Sequence, residues 1–215
     1  MKKVYALYGD CHHDDPVTES CLRSVFGADM VFTNDPADVP WDDMENQVEL
    51  YVSMKETNTT LGPDGKIEQW ITPEREAALY RFVENGGSAL FVHCGLVGYP
   101  IESLYHKLSG GVFIEHPPIM DVTYVPIKKE HPIMQGVDSF SGMDEKYFCH
   151  IDVSKVDIFM CGDDPVHAGT ISGWCQKIGI GRTVSVTPGH TFEIVENPNM
   201  IRILKNAVKW LKEGE

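Results

Sequence analysis

The stretch from Thr72 to Gly95 constrains the fold most, because it reads continuously as helix, turn, buried strand and corner. Thr72-Pro73-Glu74 is a strong helix start. The threonine suits the N-cap, the proline suits the first helical position, and acids favour the first turn. Ala78, Leu79, Phe82 and Val83 form an apolar stripe, and Asn85-Gly86-Gly87 ends it. Ser88 to Val92 is then a short apolar run that stops at His93-Cys94-Gly95. Such a run directly after a helix is the pattern of a strand buried on both faces of an open α/β sheet. In those sheets ligands bind outside the carboxyl ends of the strands, so the His93-Cys94 corner is the first place to look for chemistry.

The same reading extends along the chain. Val4 to Tyr8 predicts a first buried strand ending at Gly9-Asp10, followed by the loop Cys11-His12-His13-Asp14-Asp15 and a helix opened by Pro16, over roughly 17–26. Ala28 to Phe32 and Val48 to Ser53 predict further strands. Residues 54–71 are polar, and Gly62-Pro63-Asp64-Gly65 predicts the turn of a surface excursion or small hairpin. Past the corner, a short helix is expected over 101–108, and strands over 112–115, 121–127, 147–151, 156–161, 170–177 and 183–187. His131-Pro132 and the segment to Lys146 read as less regular. A final helix follows Asn197-Pro198, with Ile201, Leu204, Val208 and Leu211 at helical spacing. Strands alternate with helices in the first half and dominate the second. That predicts one domain over 1–215: a sheet with helices on both faces and an antiparallel extension in the second half. Histidine-bearing corners follow the strands ending at Tyr8, Val92 and Val186, and they converge on one edge if those strands are parallel neighbours.

Composition narrows the partners. A formal net charge of −14 disfavours nucleic acid and anionic membrane surfaces, which both need clustered Lys and Arg. Six cysteines without a C-x-x-C pair, and an N-terminal apolar run too short for a signal peptide, point to free thiols and a cytoplasmic location.

His12 and His13, beside Asp10, Asp14 and Asp15, are imidazoles and carboxylates on one loop and suit a divalent metal. No H-x-x-x-H or H-E-x-x-H spacing accompanies them. Cys94 is either a nucleophile, with His190 as base and Glu193 orienting that histidine, or a buried inert thiol. His93 is either a ligand-facing acid/base or a hydrogen-bonded core group. Asp144-Glu145 with Tyr147 suits sugar hydroxyls or acid/base work. His106, His116, His150 and His167 carry no motif and are read as structural, and Gly179-x-Gly181 opens no helix and is not a nucleotide fingerprint.

Taken in order, these pieces resemble the trehalose-utilisation (ThuA-like) family of the class I glutamine-amidotransferase-like superfamily. The resemblance rests on Gly9 followed by His12-His13-Asp14, and on Phe82 through Gly86-Gly87 to His93. It continues with His131-Pro132-Ile133, Gly136, Phe140, Asp144-Glu145-x-Tyr147, Trp174, Gly179-x-Gly181-Arg182, Gly189-His190-Thr191 and Asn197-Pro198. It implies a flavodoxin-like three-layer α/β/α fold and a role in carbohydrate metabolism, on a disaccharide or an oxidised derivative. It places His93 at the elbow where amidotransferases carry their cysteine, which makes Cys94 a bystander. The His190 to Glu193 spacing also departs from the amidotransferase pattern and no synthetase domain is present, so glutaminase activity is not expected.

The expected site is therefore catalytic His93 and His190 with Asp144 and Glu145. Around it stand Gly9, Asp10, His12, His13, Cys94, Tyr147 and Trp174 as substrate-binding residues. A zinc-like divalent metal on His12, His13 and His190 is a secondary expectation, as is a homo-oligomer. The other readings are a non-catalytic sugar-binding or regulatory module and a Cys94-dependent hydrolase or amidotransferase.

Overall fold

Apolar runs of the first half become parallel strands, and each run that ends in glycine, asparagine or histidine becomes a corner. A computed structural model describes residues 1–13, 15–61 and 67–213. In chain order its elements are β1 (Lys3–Tyr8), α1 (Asp15–Phe26), β2 (Met30–Thr33), α2 (Met44–Gln47), β3 (Val48–Met54), β4 (Asn58–Leu61), β5 (Ile67–Gln69), α3 (Pro73–Glu84) and β6 (Ser88–Val92). There follow α4 (Leu104–Ser109), β7 (Gly111–Glu115), β8 (Met120–Pro126), β9 (Phe140–Asp144), β10 (Phe148–Ile151), β11 (Asp157–Asp163), β12 (Thr170–Ile178), β13 (Gly181–Val186), α5 (Phe192–Val195) and α6 (Pro198–Glu213). β4 and β5 pair antiparallel as the expected hairpin. Its Gly62-Pro63-Asp64-Gly65 turn lies outside the described residues, as does Asp14.

Nine strands form one sheet in the order β2-β1-β3-β6-β13-β12-β11-β8-β9. The first five run parallel, and β12, β11, β8 and β9 continue antiparallel. This is the flavodoxin-like three-layer architecture with its antiparallel extension. Alternation along each strand sends side chains to opposite layers. Val4, Ala6, Leu50, Val52, Leu90 and Val92 pack under α1 and α6 through Val17, Leu22, Ile203 and Leu204. Tyr5, Leu7, Tyr51, Ala89 and Phe91 pack under α3 and α4 through Leu79, Phe82, Tyr105 and Leu108. β6 is buried at all five positions.

The punctuation of α3 works as its residues dictate. Thr72 Oγ1 accepts from the Arg75 N–H at 3.3 Å, and Gly86 takes a left-handed φ of 106° after the helix. Three expectations shift. α4 begins at Leu104 rather than Ile101, because Ser103 caps it by accepting from the His106 N–H at 3.0 Å. The segment read as irregular contains β9, an edge strand in register with β8. β7 and β10 leave the main sheet and pair with each other as a separate antiparallel ribbon.

Register levels the strand ends. Tyr8 stands beside Met54, Ser53 beside Phe91, and Val92 beside Val186. The three histidine corners thus leave the sheet along one edge, with the end of β3 inserted between the first and second.

Candidate functional site

Each corner is shaped by backbone demands before any chemistry. His93 follows β6 directly and has a φ of 45°, a left-handed conformation rare for a side-chain-bearing residue that costs about 1–3 kcal/mol. Its chain then passes so close to β3 that a Cβ on Gly95 would stand 2.2 Å from the Ser53 carbonyl oxygen. The β13 corner lies against the elbow through Gly189, where a Cβ would meet His93 Cβ at 2.8 Å. The β1 corner is organised by Asp10, whose carboxylate accepts from the His12 and His13 backbone N–H groups at 2.9 and 3.0 Å. The Glu56 N–H donates to its other oxygen at 3.1 Å, joining the end of β3 to the same loop.

These corners gather His13, His93 and His190, and Glu145 joins them from the chain beyond β9. Two of the rings have one nitrogen fixed by an acceptor. His93 Nδ1 lies 2.7 Å from the Thr187 carbonyl oxygen, and His13 Nδ1 lies 2.7 Å from Asp10 Oδ1. Those acceptors place the ring proton on Nδ1 and leave an Nε2 lone pair on each histidine. His93 Nε2 stands 3.0 Å from the Tyr147 hydroxyl, 3.4 Å from His190 Nδ1 and 3.5 Å from Glu145 Oε2. His13 Nε2 is 3.9 Å from Glu145 Oε2, and His190 Nδ1 is 3.0 Å from the same oxygen. One ligand atom from each of these four residues lies within 4.8 Å of all the others.

Alternation positions the carboxylate. Asp144, Lys146 and Glu145 with Tyr147 leave the end of β9 in different directions. Asp144 is completely buried and accepts from the Tyr124 hydroxyl at 2.7 Å and from the Gly189 and His190 N–H groups at 3.1 and 2.8 Å. Lys146 is buried in an ion pair with Asp164 on the far side. Glu145 and Tyr147 face the corners, and Tyr147 stacks on the His93 ring with centroids 4.3 Å apart.

Burial and hydrogen bonds set the charges. Burial holds the His93 imidazole below its ordinary pKa, against the raising effect of Glu145. Burial alone would raise Glu145 and Asp10, but the histidine hydrogen bonds outweigh it and hold both carboxyls well below the usual range. Burial raises Tyr147 and Asp144, the latter against its three donors. His12 moves the other way from His93. It is raised chiefly by its 2.7 Å hydrogen bond to Glu56.

A cavity of about 400 Å³ opens over the cluster, lined by His12, His13, Glu56, Val97, Phe113, His116, Glu145, Tyr147 and His190. His93 is not among the lining residues and lies buried behind Tyr147 and Glu145, which are. The volume falls within the roughly 300–1,000 Å³ typical of small-molecule sites.

The structure thus brings together His93, His190, Glu145, His13 and Tyr147 of the expected residues, with His12 at the cavity mouth. It separates the others. Asp144 reaches no cavity and instead holds the backbone of the His190 corner. Trp174 is fully buried on the α4 side of the sheet, its indole N–H donating to the Ser109 carbonyl oxygen at 2.6 Å, so it is a core anchor rather than a substrate contact. Gly9 serves the turn: its φ is 77° and its carbonyl accepts from the buried Lys55 ammonium. Asp10 acts through His13. Cys94 is fully buried, and burial together with Asp10 pushes its thiol well above the ordinary range, which disfavours the thiolate. Glu193 does not orient His190. Its carboxylate accepts from the Met143 N–H at 3.1 Å, and Glu145 takes that place. Of the expected metal set, His13 and His190 meet, whereas His12 groups with Cys11 and Glu56 farther out.

Sequence reasoning missed Glu56, Phe113 and His116. Glu56 lies two residues beyond β3, so the strand-end rule applied to that strand points to it. His116 follows β7 and approaches Glu145 Oε1 at 3.5 Å; the ribbon that delivers it carries no motif.

No curated protein matches the chain at the sequence level. Among solved structures, a putative ThuA-like protein from Bacteroides uniformis superposes with a TM-score of 0.73 at 16% identity, covering 99% of this chain and 92% of that one. Another, from Parabacteroides merdae, gives 0.74 at 13% identity, covering 100% and 91%. Agd3, a carbohydrate deacetylase, gives 0.68 at 12% identity, covering 100% of this chain but 33% of its own. At these identities the likeness shows the fold alone. The trehalose-utilisation (ThuA) family model, by contrast, matches the sequence itself over residues 12–211, and the chain belongs to that family.

Proposed function

We propose that this chain binds a sugar-derived small molecule, of the disaccharide or oxidised-sugar type, in the cavity over the histidine cluster and transforms it there. The observation that carries the reading is the pairing of two buried imidazoles, His13 and His93, each with its outer nitrogen committed to an acceptor and its Nε2 lone pair turned toward the same point. His93 holds a strained φ with its Nε2 turned toward Tyr147, His190 and Glu145, which packing alone does not require.

The lining suits a polyol. The His12–Glu56 pair and His116 offer donors and acceptors at the mouth, and the Phe113 ring offers an apolar face for the pyranose carbons. Glu145 stays ionised at neutral pH and steadies positive charge on His190 or His93 during proton transfer. Membership of the trehalose-utilisation family supports a carbohydrate ligand. So does the name of Agd3, a carbohydrate deacetylase in which the same fold makes up about a third of the chain.

The test is a panel of disaccharides and their oxidised derivatives, followed by isothermal titration and product analysis. At least one member should bind and be converted. His93→Gln and His190→Gln should each lower turnover about 100-fold or more while binding changes only a few-fold. A panel that neither binds nor reacts removes the reading. Binding without conversion in the parent protein replaces it with a sugar-binding module.

A further inference from the structure

The donor geometry of the cluster goes further than a set of proton-transfer groups. A tetrahedral first-row ion with bonds of about 2.0–2.2 Å sets its donors roughly 3.3–3.6 Å apart. The four separations known among the candidate ligand atoms are 3.0, 3.4, 3.5 and 3.9 Å. Two of the three imidazoles have the support a metal-bound histidine usually has on its other nitrogen: a carboxylate for His13 and a backbone carbonyl for His93. The donors are three nitrogens and one carboxylate oxygen, a set suited to zinc-class divalent ions and unsuited to calcium or magnesium.

We propose that His13 Nε2, His93 Nε2, His190 Nδ1 and Glu145 form a binding site for one zinc-class divalent cation. The inference rests on reading this cluster as the working part of the cavity, but it names what the cluster holds. His190 offers Nδ1, 3.0 Å from Glu145 Oε2, and as a neutral imidazole bound through that nitrogen it would carry its ring proton on Nε2. The second oxygen of Glu145 faces His116 at 3.5 Å on the cavity side. Zinc accepts a fifth ligand readily, so a sugar oxygen entering from the cavity could be polarised there. Two groups compete as locations, the outer Cys11, His12 and Glu56 and the buried Asp10, His13 and Cys94, because the ligand atoms of each also lie within 4.8 Å of one another.

Zinc chloride titrated into chelator-treated protein, with no sugar present, tests the site apart from the substrate. The expected result is saturable uptake of one zinc per chain. Cobalt(II) in place of zinc should give the intense visible bands of a four- or five-coordinate ion. Glu145→Gln and His93→Gln should weaken zinc binding at least 100-fold. Asp10→Asn, which keeps every ligand, should weaken it about 10–100-fold. Cys11→Ser should leave it unchanged. Circular dichroism confirms that each variant is folded; where a ligand variant is not, weakened uptake in Asp10→Asn together with unchanged uptake in Cys94→Ser carries the test, and uptake lost in Cys94→Ser overturns the proposal. Absence of saturable uptake by the parent overturns the proposal. Uptake lost in Cys11→Ser and kept in Glu145→Gln overturns it equally, by placing the ion in the outer group. A metal-free result leaves the sugar reading standing on acid/base chemistry, and a metal-loaded protein that ignores every sugar leaves the metal site standing alone.

Discussion

His93 shows how one residue ties backbone strain, burial and protonation together. Its ring is enclosed and held neutral below the ordinary value of 6.5. Between its native pKa and 6.5 the unfolded chain binds a proton that the native chain does not, so native stability is intact above that value and falls as pH drops below it. Urea denaturation should show a lower midpoint at acid pH than at neutral pH. His93→Gln should reduce that difference without abolishing it, since His106 and His131 are also lowered by burial. Asp144 acts differently. Its carboxylate accepts from three donors, so Asp144→Ala removes all three bonds at once and should cost about 3 kcal/mol in chemical denaturation. The sequence reading assigned Asp144 and Glu145 one shared role. Adjacent side chains leave an extended chain toward opposite sides, and which of the two faces the cavity is decided by the partner of each, Tyr124 or His190, both far away in sequence.

At the scale of elements, the strand ends were legible because punctuation is local. Glycine, proline and capping residues act on their immediate neighbours, and they marked α3, β6 and the three corners correctly. β9 was not legible as a strand. Its inward positions are Phe140, Gly142 and Asp144, and a glycine and a charge break the apolar alternation. A Cβ on Gly142 would approach Ile194 Cδ1 at 2.9 Å, so a larger residue there would need the Ile194 and Glu193 side chains to shift. The departure of β7 and β10 from the main sheet was also hidden, because pairing partners distant in sequence leave no local trace. The elbow makes a sharper prediction. Gly95→Ala drives a Cβ into the backbone of β3, which cannot rotate away, and should destabilise the protein by about 2–3 kcal/mol as well as displace His93. A thermal melt with a parallel zinc titration reads both effects.

Across the whole molecule, the parallel half of the sheet supplies three corners and the antiparallel half supplies the fourth ligand. β9 lies at the far edge of the sheet, and its chain returns over the cavity through Asp144-Glu145-Lys146-Tyr147 into the ribbon. The buried Lys146–Asp164 pair and the Asp144 hydrogen bonds fix that return. A cation shared by groups from β1, β6, β13 and the β9 return therefore couples to the folding of the entire sheet. At a hundredfold excess over its Kd, zinc should add about 2.7 kcal/mol to stability. For a chain of this size that is roughly 5–10 °C in Tm, and Asp10→Asn should reduce the shift at the same zinc concentration.

The assembly of that cluster as one centre is most directly tested by anomalous diffraction at the zinc edge, from crystals of the parent protein grown with zinc. A single strong peak is expected between His13 Nε2, His93 Nε2, His190 Nδ1 and Glu145, about 2.0–2.2 Å from each ligand atom. A map with no peak there, or with its peak beside Cys11, His12 and Glu56 instead, would contradict the account.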